Sequence, residues 1–443
     1  MIVRWRTDAP TESTLRYGLD FNNLSLTISI AESVTDHEIE VQGLKPGAGY
    51  YYSVGTSSQT LAGADADHYF VATTLPDTAR RTRLWVLGDQ GTNSVRSAQV
   101  KNAYLDFVDD EPAGLLLLLS DNAYLIGTDE QYTVNLFQNY PEILRHTVLW
   151  PTPGNHDFSA NEENGLPSSS PLTETGPYYD AFTLPTQGES GGVASETETY
   201  YSFDHGNIHF LSLNIYRTDI TVDSAMYAWV VADLAANQQD WLIVFLHFPP
   251  YSRGGRDSDT TFHMVKVRTL YNPLFEQAGA DLVLAGHSHT YERSMLIDGH
   301  YGPSASLTPE NIIDAGDGDP LSNGAYFKPT MGNGPHEGTV CVVNGVGENA
   351  HADGGTLDHP IMVSSFEIEG SMVIDIKGNV LNSHFISLDG AYLDRFRIVK
   401  GVSAVQIPSG NSGTRIVLVL LLLGTARLGG RRATNTRDEC QNM

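Results

Sequence analysis

The chain has 443 residues, too many for one ordinary domain, and its 41% apolar content supplies a normal core for two or more. A formal charge of -27 leaves no basic stripe of the kind that holds nucleic acid, so any anionic substrate must be met by local positive charge. Two cysteines, Cys341 in an apolar run and Cys440 in a polar tail, argue against a disulfide framework or a cysteine-built metal site.

Met1-Ile2-Val3-Arg4-Trp5 opens the chain as a strand, not as a secretory signal. Residues 1–75 alternate apolar and polar side chains between turn signals, with strand-like stretches at 15–18, 37–41 and 50–54, and predict a small β-sandwich. Leu44-Lys45-Pro46-Gly47-Ala48-Gly49-Tyr50-Tyr51-Tyr52 resembles the turn and strand of fibronectin type III domains. Such domains begin one strand earlier, so this front domain reads as clipped by a truncated gene start. A linker follows at 75–81. From 80 to 400 strands and helices mix, which predicts an α/β domain. The spacing of Val95, Ala98, Val100, Ala103, Tyr104 and Phe107 predicts a helix over 94–109, and a second is predicted over 225–236. Residues 159–197 and 301–337 read as long surface loops of the kind that bind or cover ligands. Strand patterns return at 361–363, 371–376 and 396–399. The tail, 401–443, carries an apolar run at 416–423 and then Arg427, Arg431 and Arg432. That run is too short to span a bilayer alone. It reads as a processed sorting tail with a basic stop, as a mistranslated end, or as a buried strand, and membrane contact is expected only in the first case.

Five apolar runs each stop at a polar residue able to bind a metal. Residues 84–87 lead to Asp89, 115–119 to Asp121 and Tyr124, 148–150 to Asn155 and His156, 241–246 to His247, and 282–285 to His287 and His289. Short apolar runs bounded by Gly or Pro are buried strands, and in α/β sheets ligands gather beyond the carboxyl ends of such strands. Carboxylate, imidazole, phenolate and carboxamide donors converging there suit two cations, with Asp121 as the economical bridge. His287 and His289 alternate in an extended loop, so each can serve a different ion.

This set resembles the calcineurin-like metallophosphoesterases, and Tyr124 is similar to the marker tyrosine of their purple acid phosphatase branch. The five family blocks occur in order over roughly 82–295, Tyr291-Glu292-Arg293 continues the last one, and a fibronectin type III-like domain is the family's usual companion. The resemblance implies a four-layer αββα sandwich with Asp89, Asp121, Tyr124 and His289 around Fe(III). It further implies Asp121, Asn155, His247 and His287 around Fe(II), Zn or Mn. It implies hydrolysis of phosphate monoesters, a hydroxide held at the metals attacking phosphorus in line while His156 assists the leaving group, and a secreted, periplasmic or cell-surface location. A phosphodiesterase on the same centre and a non-catalytic surface protein are the alternatives. The partner implied is a small phosphoester, and oligomeric state is left open. Two positions depart from the family: Ser120 stands where Gly is usual, and Phe248 where bacterial relatives carry histidine. His263 and Arg253 lie in the loop that supplies further substrate contacts in the family.

Overall fold

The computed structural model describes residues 1–75, 80–159 and 169–402, so the tail expected at 401–443 lies almost wholly outside the described residues. At the front, β1 (Ile2–Gly18), β2 (Leu26–Glu40), β3 (Gly49–Gly55), β4 (Thr60–Gly63) and β5 (Tyr69–Val71) form one antiparallel sheet. Its buried face is small and aromatic: Leu15, Tyr17, Ile39, Val41, Tyr50 and Phe70. The all-β expectation is met. The second sheet that a sandwich requires does not occur among the described residues. Other parts of the chain meet this sheet instead. Arg4 donates to Asp180 O at 2.6 Å, Arg6 pairs with Asp129 at 2.7 Å, and the Tyr52 hydroxyl donates to Arg145 O at 2.8 Å.

The remainder holds two seven-stranded sheets. Their strands are β6 (Thr82–Leu87), β7 (Leu115–Leu118), β8 (Val148–Pro151), β9 (Tyr201–His205), β10 (Ile208–Leu213), β11 (Trp241–Leu246), β12 (Leu282–Ala285) and β13 (Tyr291–Ser294). A two-stranded ribbon of β14 (Leu296–Ile297) and β15 (Ile312–Asp314) follows, then β16 (Tyr326–Lys328), β17 (Val340–Asn344), β18 (Met362–Phe366), β19 (Gly370–Lys377), β20 (Val380–Ser387) and β21 (Tyr392–Lys400). One sheet runs β16-β21-β20-β19-β6-β7-β8 and the other β18-β13-β17-β12-β11-β10-β9. β6, β7 and β8 are parallel, as are β10, β11, β12 and β17.

Strand alternation explains the layering. In β11, Trp241, Ile243 and Phe245 enter the core shared with Leu84, Val86 and Leu117 of the other sheet. Leu242, Val244 and Leu246 point the opposite way, against Met226, Trp229, Val230, Val267 and Phe275 of the helical segments. A strand buried on both faces has no polar alternation to show, which is why these runs are continuously apolar. Each such side chain contributes roughly 1.5–3 kcal/mol on burial.

The helix predicted over 94–109 spans Val95–Val108, with the Ser94 side chain accepting from the Ser97 amide as an N-cap. The helix predicted over 225–236 spans Ala225–Ala236 with Ser224 as its cap. The predicted loops are less uniform than expected. Pro177–Ala181 is a short helix inside the first, and β15 and β16 lie inside the second. Three-residue strands carry too little periodicity to be read from sequence.

Candidate metal centre

Five loops leave the carboxyl ends of β6, β7, β8, β11 and β12 and meet. Their backbones are unusual. Asp89, Ser120, Asp121 and His287 have φ of 55°, 84°, 48° and 67°. Non-glycine residues in this left-handed region cost on the order of 1–3 kcal/mol each, and such strain clusters at functional sites. Glycine appears where the backbone must pass close to a donor: a Cβ on Gly154 would strike Asp121 Oδ1, and one on Gly286 would strike Asp89 Oδ2.

Two groups of donor atoms form, sharing one carboxylate. The Tyr124 hydroxyl lies 3.1 Å from Asp89 Oδ1, 3.2 Å from Asp121 Oδ2 and 3.2 Å from His289 Nε2. One phenol proton cannot serve three acceptors. His247 Nε2 lies 2.9 Å from Asn155 Oδ1, 3.1 Å from His287 Nδ1 and 3.5 Å from Asp121 Oδ2. The other nitrogen of His247 contacts Ser120 Oγ, whose hydroxyl also contacts Leu119 O. With Nδ1–H donating to Ser120, His247 Nε2 carries a lone pair that faces the other lone pairs of its group. Buried donor atoms that confront one another in this way fit cations at both positions. All seven sequence-predicted ligands are brought together: Asp89, Asp121, Tyr124, Asn155, His247, His287 and His289.

Ionisation of the bare polypeptide follows the same logic. Burial pushes Asp89 up, but His289, His247 and His287 outweigh it and hold its carboxyl below the usual range. Burial, then Asp89 and Asp157, push Asp121 well above it. Burial, then Asp89 and Asp121, raise Tyr124 strongly. Burial lowers His247 to about 4, and burial, then His247, holds His287 well below the usual histidine range. Protein groups alone therefore do not keep both carboxylates and the phenol ionised together; bound cations would reverse that balance.

Residues 82–291 match the family model described as calcineurin-like phosphoesterase. Over those residues the chain is similar to calcineurin-like metallophosphoesterases. It is 29% identical over 291 residues to purple acid phosphatase 21 of Arabidopsis thaliana, covering 64% of this chain and 58% of that one. It is 26% identical over 332 residues to acid phosphatase type 7 of Danio rerio, covering 66% and 68%. The matches to the first three plant relatives span between about half and three-fifths of their length. Among solved structures, a purple acid phosphatase from yellow lupin seeds superposes with a TM-score of 0.69 at 17% identity, covering 90% of this chain and 72% of that one. At that identity the likeness is one of fold.

Beside the two donor groups lies a cavity of about 70 Å³ lined by Asp121, Asn155, His156, His287, His289, Arg256, His351 and Asp353, with Gly255. His156 Nδ1 donates to Leu125 O at 2.6 Å, so Nε2 is left for the cavity. Beneath it, the Asp157 carboxylate accepts from the Gly154 and Asn122 amides and the Tyr132 hydroxyl, pinning the β7 and β8 loops together. Burial raises Asp157 to about 6 against those hydrogen bonds.

Arg256, His351 and Asp353 were not legible as site residues, because each stands seven or more residues past the strand that precedes it. An arginine in a loop of a -27 chain was the available signal. The two loop candidates read from sequence face elsewhere. Arg253 binds Asp358 at 3.2 Å and Ser304 at 2.6 Å. His263 stacks on Phe248 at 4.5 Å, and Phe248 in turn lies 4.3 Å from His287. Phe248 thus walls one side of the second donor group.

Proposed function

We propose that this chain hydrolyses phosphate monoesters at a dinuclear metal centre. The observation that carries the reading is the single oxygen, Asp121 Oδ2, that faces both donor groups. Asp89, Asp121, Tyr124 and His289 would hold Fe(III), because a phenolate is a hard anionic ligand. Asp121, Asn155, His247 and His287 would hold Fe(II), Zn or Mn. When bound, such ions polarise phosphoryl oxygens and make water nucleophilic near neutral pH.

The chain's own groups do the rest. The His156 amide and the Gly154 turn fix Asp121 from one side. His156, its Nδ1–H tied to Leu125 O, would in its doubly protonated form present Nε2–H to the leaving oxygen and give it that proton, becoming neutral imidazole. Arg256 places a cation at the rim for a phosphate oxygen, the local positive charge that an acidic chain needs. The kinship with named acid phosphatases supports this chemistry. The front sheet is read as one half of a fibronectin type III-like domain over 1–75, with the catalytic domain over 80–400. A secreted, periplasmic or cell-surface site fits the family. No helix among the described residues is long and apolar enough to cross a membrane.

The test compares p-nitrophenyl phosphate with its bis ester on metal-loaded protein. Turnover of the monoester, reduced by roughly 10²–10⁴ in His156→Ala, is the expected result. Turnover of the diester alone would replace the monoesterase reading. No turnover of either by protein holding two metals would overturn hydrolysis.

A further inference from the structure

The outer nitrogen of His289 points away from the donor group to a second histidine. Its Nδ1 lies 3.0 Å from His351 Nε2, with ring centroids 4.6 Å apart. The His351 amide also donates to His289 O at 2.8 Å, so backbone and side chain tie the same two residues. Beyond it, His351 Nδ1 lies 2.9 Å from Asp353 Oδ1, close enough for an ion pair though not aligned as a hydrogen bond, and this enclosed nitrogen has no hydrogen-bond partner among the described residues. Asp353 Oδ2 lies 3.5 Å from the Arg256 guanidinium.

The chemistry of imidazole gives this chain a direction. If His289 Nε2, which faces Tyr124 and Asp89, offers its lone pair to a cation, Nδ1 carries the ring proton and must donate. His351 Nε2 must then accept. That places the proton of His351 on Nδ1, the nitrogen without a hydrogen-bond partner, and Asp353 is the carboxylate within reach of it. Arg256 holds Asp353 from its other side.

We propose that His351 and Asp353 are positioning residues: an aspartate–histidine chain that fixes the tautomer and orientation of His289 and so the hold of the Tyr124 site on its metal. This rests on the dinuclear reading above. The loop is built for the task, since the Leu357 amide donates to Arg253 O at 2.9 Å and a Cβ on Gly355 would collide with Gly254 O. These contacts pack the loop carrying His351 onto the loop carrying Arg256.

The test loads wild-type chain with metal and follows metal remaining per chain against time under a chelator. Outer-shell partners of ligand histidines are worth about 10–100-fold in metal affinity. His351→Ala is expected to lose metal from the Tyr124 site faster by that factor. His351→Gln, whose side-chain oxygen accepts from His289 Nδ1, restores most of the retention, and Asp353→Asn falls between. Thermal melting of the metal-free variants checks that each is folded. Retention in His351→Ala equal to wild type overturns the proposal, and equal losses in the Ala and Gln variants overturn it in favour of simple packing. A wild-type chain that takes up no metal overturns both this inference and the dinuclear reading, whereas two retained metals with unaltered His351→Ala overturn only the inference.

Discussion

The backbone amide of His156 donates to Asp121 Oδ1 at 2.9 Å, which leaves Oδ2 as the oxygen facing both Tyr124 and His247. The same short segment therefore carries the proposed proton donor and orients the shared carboxylate. On that reading one turn, Gly154 to His156, at the end of β8, would place both the leaving group and the bridge.

Asp121 is shared and Asn155 is not, so their substitutions separate. Asp121→Asn is expected to lose both metals, and Asn155→Ala only one. Metal content per chain after dialysis checks this. Retention of both metals by Asp121→Asn would remove the bridge.

Gly154→Ala tests the tight approach. A methyl group there meets the carboxylate of Asp121 directly, with buried neighbours on every side. The substitution is expected to reduce metal binding at both positions and to cost about 1–3 kcal/mol as overpacking. Calorimetric melting with and without metal measures each part.

Ser120 separates strain from hydrogen bonding. Its φ of 84° suits glycine, yet its hydroxyl holds His247 Nδ1. Ser120→Gly relieves the backbone by on the order of 1 kcal/mol and removes the hydrogen bond; Ser120→Ala removes the bond and keeps the strain. The metal-free Gly variant is expected to melt above the Ala variant, while both bind the second metal more weakly than wild type. Equal metal affinity in all three would deny Ser120 a part in orienting His247.

A pH prediction comes from a site remote from the metals. Burial pushes His209 down, but hydrogen bonds to Asp204 at 2.7 Å and Asp233 at 2.8 Å outweigh it and raise its pKa to about 9. A histidine with a raised folded pKa contributes stability that is fully present below its unfolded value near 6.5 and is lost as pH rises through about 9. The contribution is on the order of 3 kcal/mol. Denaturant unfolding of the metal-free chain is expected to show falling stability between pH 6.5 and 9, and His209→Gln to flatten that slope.

What was legible in the sequence follows from distance along the chain. Asp89, Asp121, His247 and His287 each stand within three residues of a strand whose last four residues are all buried, so a run of apolar residues announces them. The outer contacts were not legible. His351 meets His289 across 62 positions, and Ser120 meets His247 across 127. Nothing local encodes such pairs. Ser120 read as a mild departure from glycine, and only the fold shows that its hydroxyl has a partner. The single front sheet was also hidden, because strand alternation gives the face that is buried but not what covers it.

The dinuclear centre itself is tested most directly by purifying the chain aerobically without chelator and recording its visible spectrum with metal content. Two metals per chain and a broad visible band that vanishes in Tyr124→Phe are the predicted result. A colourless chain with no metal, and no activity on adding metals, would contradict the account.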